Sequence, residues 1–148
     1  MDGCHLKGIY GSQLLLAIGV DGYDSVFLLA YAIVEGETKD SWSRFLNFLK
    51  RDLCITPAGE LHLTFISDKQ KGLIPAFEDV IPGATHRFCV RHLHGNMKQA
   101  GFTGKAIKDA LWDAARSTSV NTFTAAMKKL HDIDAKAYEW LCDKQPSE

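Results

Sequence analysis

Asp2 and Asp68 are the residues of this sequence whose type and placement suggest chemistry. Asp68 follows a run that suits a buried strand, "LHLTFIS" (61–67), and the polar residues "KQKG" come directly after it. The carboxylate could cap the next helix, or it could face a second carboxylate and hold a metal ion. Close carboxylates repel each other, and a divalent cation that prefers oxygen ligands, Mg²⁺ or Mn²⁺, relieves that repulsion. Cleavage or transfer of phosphodiester bonds with two metal ions is the chemistry that such a pair supports.

The composition is that of an ordinary globular domain. The chain has 148 residues, of which 46% are hydrophobic and 24% charged, so one domain with a substantial core is expected. Its longest apolar runs are too short to span a bilayer, and the polar start "MDGCHLKG" does not resemble a signal peptide. The four cysteines form no CxxC pair, which argues against a disulfide framework and for a reducing compartment.

The first half of the chain predicts strands and one long helix. The runs "QLLLAIGV" (13–20) and "SVFLLAYAIV" (25–34) flank the turn residues "DGYD" and predict a hairpin. Because both runs are almost continuously apolar, we expect them to be covered on both faces. A weaker strand is predicted at "HLKGIY" (5–10). The segment 38–53 predicts a helix capped by Thr38 or Asp40, with one apolar face made of Trp42, Phe45, Leu46, Leu49 and Leu53.

The rest of the chain predicts two more strands and then only helices. "LHLTFIS" and "HRFCV" (86–90) are strands separated by a helix at 70–81, and from His92 onward the pattern is helical. The order predicts an α/β fold with a mixed sheet, in which a three-strand meander and two parallel strands carry flanking helices. In such a sheet the strand that ends at Asp68 lies beside the strand that begins near Asp2. We divide the chain into an α/β core, 1–91, and a helical segment, 92–148.

Charge is distributed unevenly along the chain. Residues 84–130 contain 8 Lys or Arg and 2 Asp or Glu, a net charge of +6, whereas the whole chain has −1. The segment is either a solvated helical face or a surface for an anionic partner such as DNA. If DNA binds, the expected phosphate contacts are Lys69, Lys71, Arg87, Arg91, Lys98, Lys105 and Lys108.

Three stretches carry a resemblance to a known family. These are "MDGCHLKG", "AIVEGETKDSWSRFLNFLK" (32–50) and "FISDKQKGLIPAFEDVIPGATHRFCVRHLHGNMK" (65–98). Together they resemble the transposase domain of plant Mutator-like elements (MULE). The third stretch is the most specific, although Ile81 stands where the family often has Phe.

The resemblance implies a ribonuclease H-like fold and a DDE nuclease site that binds Mg²⁺ or Mn²⁺. By position, Asp2 would be the first acidic residue and Asp68 the second. A CxxH motif of the family falls on Cys89 and His92. Cysteine and histidine can bind zinc, but a structural zinc site needs about four ligands, and we expect these two residues to order the site or contact DNA instead of binding zinc.

The third family carboxylate, a Glu beyond a helical insertion, has no counterpart in the sequence. Glu139 lies in "AYEWL", which does not match the family's segment, and we leave it out of the site. Relatives also have apolar residues before the first Asp, whereas Asp2 follows Met1 directly. These departures predict a fragment of a transposase that is inactive alone, with 92–148 as the start of the family's helical insertion.

The resemblance also implies partners and a location. DNA, in particular transposon ends, is the expected partner, together with other transposase subunits in an oligomer, and the expected location is the nucleus. The alternative is a non-catalytic regulator derived from a transposase, which binds DNA or protein.

Overall fold

The computed structural model describes residues 1–7 and 11–144. They fold into two compact units, which divide between Arg87 and Phe88. Among the described residues, the five strands lie in the first unit except for Phe88, the last residue of the fifth strand, and the second unit is otherwise built from helices. No helix among the described residues is long and apolar enough to cross a membrane.

Three antiparallel strands form the larger sheet of the first unit. Strands β1 (Asp2–His5), β2 (Gln13–Val20) and β3 (Val26–Val34) lie in the order β1-β2-β3. The predicted hairpin is therefore confirmed. The first strand lies earlier than the predicted "HLKGIY", of which residues 8–10 are outside the described part of the chain.

One face of the hairpin is buried and the other is open, so the prediction of two covered faces is wrong. Leu15 and Ala17 are buried in the core, and Ala32 on the neighbouring strand packs against the same core. On the opposite face, Tyr31 and Ile33 are 66% and 65% exposed. Apolar residues along a strand reflect a preference for β structure on both faces. They do not show which neighbouring elements cover each face.

Helix α1 (Lys39–Asp52) covers the buried face of the sheet. Its apolar residues follow helical spacing, and Trp42, Phe45, Leu46 and Leu49 are buried as predicted. Thr38 is the N-cap and accepts a hydrogen bond from Ser41 N at 3.1 Å. The fifth residue assigned to this face, Leu53, is the C-cap and is 43% exposed, because the helix ends before it reaches the core.

The smaller sheet consists of two parallel strands, β4 (Thr64–Ser67) and β5 (Thr85–Phe88). The short helix α2 (Pro57–Glu60) precedes β4, and α3 (Leu73–Val80) connects the two strands. Pro75 is tolerated because it lies in the first turn of α3, where backbone N–H groups have no partner within the helix. The mixed α/β architecture is thus confirmed, with an antiparallel and a parallel sheet.

The single five-strand sheet is not observed, because the described residues form no ladder between β1 and β4. The Met1 ammonium group donates to Ile66 O of β4 at 2.6 Å. That bond lies before the first residue of β1, and the strand then pairs with β2. A ribonuclease H-like fold stays a prediction.

Four helices make up most of the second unit: α4 (Val90–Gln99), α5 (Lys105–Ala115), α6 (Val120–Ile133) and α7 (Ala135–Cys142). Their core contains Met97, Leu111 and Leu130. Ser119 caps α6 with a capping box, and Asp134 caps α7. The all-helical pattern expected after His92 is confirmed, but its identity as the start of the family's insertion stays a prediction.

Candidate metal centre

Asp68 lies directly after β4 and is held from two sides. Its Oδ1 atom accepts from Lys69 N at 2.6 Å, and its backbone carbonyl accepts from the buried Ser67 hydroxyl at 2.9 Å. The same hydroxyl is hydrogen-bonded to His86 Nε2, 2.7 Å from Ser67 Oγ. Ser67 and His86 thus fix the backbone from which the Asp68 carboxylate extends.

Gln70 performs the capping role that Asp68 could have had. Its Oε1 atom accepts from Gly72 N at 2.6 Å and from Leu73 N at 2.9 Å, at the start of α3. The N-cap residue Gly72 has no side chain to do this. The helix therefore begins without help from the Asp68 carboxylate, and of the two roles first considered for Asp68 the cap is excluded.

Asp2 and Asp68 line the same pocket. The Met1–Ile66 hydrogen bond brings the start of β1 to β4, and both aspartates follow closely after that contact. The pocket has a volume of about 30 Å³ and is also lined by Gly3, Glu37, Trp42, Gln70 and Leu73, so it has room for one or two water molecules. The structure thus brings together the two residues predicted to act as a pair.

Glu37 is a third carboxylate of this pocket, and the sequence analysis missed it. It lies just before α1, in "VEGET" (34–38). Burial raises its pKa above the ordinary value of 4.5; the charge of Asp2 and, to a smaller extent, that of Asp68 raise it further, while His5 acts in the opposite direction. Glu37 therefore lies within electrostatic reach of both aspartates, and no local sequence pattern would have revealed this.

The donor set fits a hard divalent cation, although the side chains do not yet converge on one point. Among the described residues, no group of three or more His, Cys, Asp or Glu side chains is arranged to hold a metal ion. Asp2 is exposed, while Asp68 and Glu37 are partly buried. A cation between carboxylates relieves their mutual repulsion, and all three of these side chains line the pocket.

Cys89 and His92, the CxxH pair, lie at the start of α4. Cys89 is the N-cap residue, with a free thiol, and its carbonyl accepts from Leu93 N at 3.0 Å. His92 follows in the first helical turn, and both residues are partly buried. The pair therefore belongs to the second unit, whereas Asp2 and Asp68 belong to the first.

All seven basic residues that we expected to contact DNA are exposed: Lys69, Lys71, Arg87, Arg91, Lys98, Lys105 and Lys108. Two of them flank a histidine in the second unit. The pKa of His94 is lowered below its ordinary value by burial and then by the charges of Lys98 and Lys108. Trp112 lies beside this group, with its ring centre 5.4 Å from Lys108 Nζ and 5.2 Å from the His94 ring.

These observations define a mixed α/β domain with an acidic pocket, followed by a helical unit with exposed basic residues. Residues 1–96 match the MULE transposase domain. The match covers more than half of the chain, and the chain therefore belongs to the MULE transposase family, with a transposase-related function. All three pocket carboxylates and the CxxH pair lie within the matched residues. No curated protein matches the sequence.

Proposed function

We propose that the acidic pocket is the metal centre of a DDE-type transposase domain of plant type, with a ribonuclease H-like fold, in which Asp2 and Asp68 bind Mg²⁺ or Mn²⁺. The observation that supports this proposal is that two aspartates 66 positions apart in the sequence line one small pocket. Family membership supports DNA as the partner, since a transposase domain acts on DNA.

The residues of the chain have separate tasks in this proposal. The two carboxylates hold the cation, Ser67 and His86 fix the backbone of Asp68, and Gln70 orders the loop that follows it. A bound divalent ion supplies activation of the attacking hydroxyl group and stabilisation of the leaving oxygen at a DNA phosphate.

Metal binding is the first test. The Mn²⁺ affinity of the 148-residue chain is measured by electron paramagnetic resonance of the free ion, for the wild type and for Asp68→Asn. The variant should lose most of its affinity, because an amide oxygen has no net charge. Asp109→Asn, an exposed position on α5 of the second unit, is the matched control and should bind like the wild type. Equal affinity in all three proteins would refute the metal centre.

The exposed basic residues of the second unit are proposed to contact DNA phosphates without reading sequence. Fluorescence anisotropy with duplex DNA should show affinity that falls steeply with salt, with a slope of about −0.9 in log K per phosphate contacted. The double substitution of Lys98→Ala and Lys108→Ala should make the dependence of log K on salt less steep. Lys136→Ala on α7 should leave that dependence unchanged. Binding that does not depend on salt would contradict the proposal.

Strand cleavage by this chain alone is not expected, because residues 1–148 contain no match to the family's third carboxylate segment. Transposon-end DNA incubated with Mn²⁺ should therefore stay intact, and cleavage above the level of the Asp68→Asn variant would show this expectation to be wrong. DNA binding without any metal binding would instead favour a non-catalytic regulator. The nucleus is the proposed location, since the substrate is chromosomal DNA.

A further inference from the structure

The side chain of Glu37 occupies space that only a glycine leaves open. A Cβ atom built on Gly3 would overlap the Glu37 carboxylate, with Oε1 as the nearest atom. Gly3 pairs with Leu15 in the register of β1 and β2. The carboxylate of Glu37 therefore lies directly against the backbone of β1, one residue after Asp2.

The backbone of Glu37 is tied to the loop that carries Asp68. Gln70 Nε2 donates to Glu37 O at 3.0 Å, and the other end of the same amide caps α3. Gly72 packs against this segment so closely that a Cβ there would lie 2.9 Å from Glu37 O. These contacts fix Glu37 relative to Asp68 independently of its own side chain.

The buried indole N–H of Trp42 is an independent reason to infer that a polar group binds in the pocket. The side chain lines the pocket, is 1% exposed, and its indole N–H has no acceptor among the described residues. Buried N–H groups are almost always hydrogen-bonded, to protein or to ordered water. An oxygen inside the pocket, such as that of a metal-bound water, would satisfy this donor.

We propose that Glu37 is a third carboxylate of the metal centre and helps to hold the same cation as Asp2 and Asp68. The inference rests on the metal centre proposed above and adds a residue to it. Three carboxylates give the pocket a formal charge of −3, which a divalent ion offsets. Glu37 reaches the site from the start of α1, so the site takes one acidic residue from each of three separate chain segments.

Glu37→Gln separates this role from a structural one. The substitution keeps the size of the side chain and leaves the backbone contacts of residue 37 in place. The variant should bind Mn²⁺ at least about tenfold more weakly. Without metal, its melting temperature should rise above that of the wild type, because a charge repelled by two neighbours is gone. A residue that only supports the fold would instead lower the melting temperature.

Glu35→Gln is the matched control, since Glu35 is exposed and lies only two residues away. It should change neither quantity. If Glu37→Gln binds Mn²⁺ like this control while Asp68→Asn has lost binding, the inference about Glu37 is wrong and the metal centre stands. If the wild type does not bind Mn²⁺, both proposals fall. Should Glu37→Gln not fold, Glu37→Asp decides, because it keeps the charge and must retain part of the Mn²⁺ affinity if the inference is right.

Discussion

Gly3→Ala tests the pocket without replacing any of its charged groups. The added methyl group would overlap the Glu37 carboxylate, whose flexible side chain can swing away while β1 stays paired with β2. Because non-bonded heavy atoms keep about 3.5 Å apart, the carboxylate must retreat by about 2 Å. The fold should therefore survive, and the Glu37 oxygens should leave the ligand position.

The loss of metal affinity follows from that displacement. A divalent ion and a carboxylate whose separation grows from about 3 to about 5 Å lose about 1 kcal/mol of attraction in water and about 4 kcal/mol at an effective dielectric constant of about 20. We therefore expect the dissociation constant for Mn²⁺ to rise by about tenfold or more, which corresponds to about 1.4 kcal/mol.

The assay is Mn²⁺ titration of the chain, followed by electron paramagnetic resonance and paired with thermal denaturation without metal. Gly22→Ala is the control, because a Cβ there meets no atom within 4 Å. Wild-type Mn²⁺ affinity in a folded Gly3→Ala protein would refute the reasoning, since it would mean that the Glu37 carboxylate is not needed where the structure places it.

Two further predictions concern stability. Gly72→Ala should lower the free energy of unfolding by about 1–3 kcal/mol, because the new Cβ would lie 2.9–3.0 Å from backbone atoms of residues 37–39; urea denaturation measures the loss, with Gly22→Ala as the reference. Glu60 accepts from Lys50 and from Gly83 N, which lower its pKa below 4.5. Its ionised form therefore stabilises the fold above about pH 4.5, and that contribution is lost as the pH falls through the lowered pKa. Glu60→Gln should destabilise the protein at pH 7 and lessen the loss of stability below pH 4.5, as urea midpoints from pH 7 to pH 3 will show; an unchanged acid dependence would contradict the role of Glu60.

Periodic apolar residues allowed most elements to be predicted from the sequence. The spacing of Trp42, Phe45, Leu46 and Leu49 placed α1, and the turn between two apolar runs placed the hairpin. The short helix α2 (Pro57–Glu60) was not predicted, because four residues are too few to show a period. Exposure of the outer hairpin face was not predictable either, since it depends on the neighbours of the sheet.

The candidate site could be predicted only in part from the sequence, because it also depends on contacts between distant residues. Asp68 stands out because it follows a strand, and Asp2 because of the family resemblance. Glu37 does not follow a strand, and it is not one of the acidic residues that the resemblance implies. Its position depends on Gly3 and Gln70, which are distant from it in sequence. A carboxylate becomes part of a site through contacts of this kind, and these exist only in the folded chain.

The close packing of Gly72 on the segment before α1 has a consequence for how mutations affect copies of the transposable element in a genome. A single base change converts a glycine codon into one for a residue with a side chain, and such a change leaves every acidic codon intact. A copy altered at Gly72 would keep both aspartates and still encode a less stable protein, because the new side chain would crowd the backbone of residues 37–39. A substitution at Gly72 would therefore weaken the protein in copies whose acidic residues are unchanged.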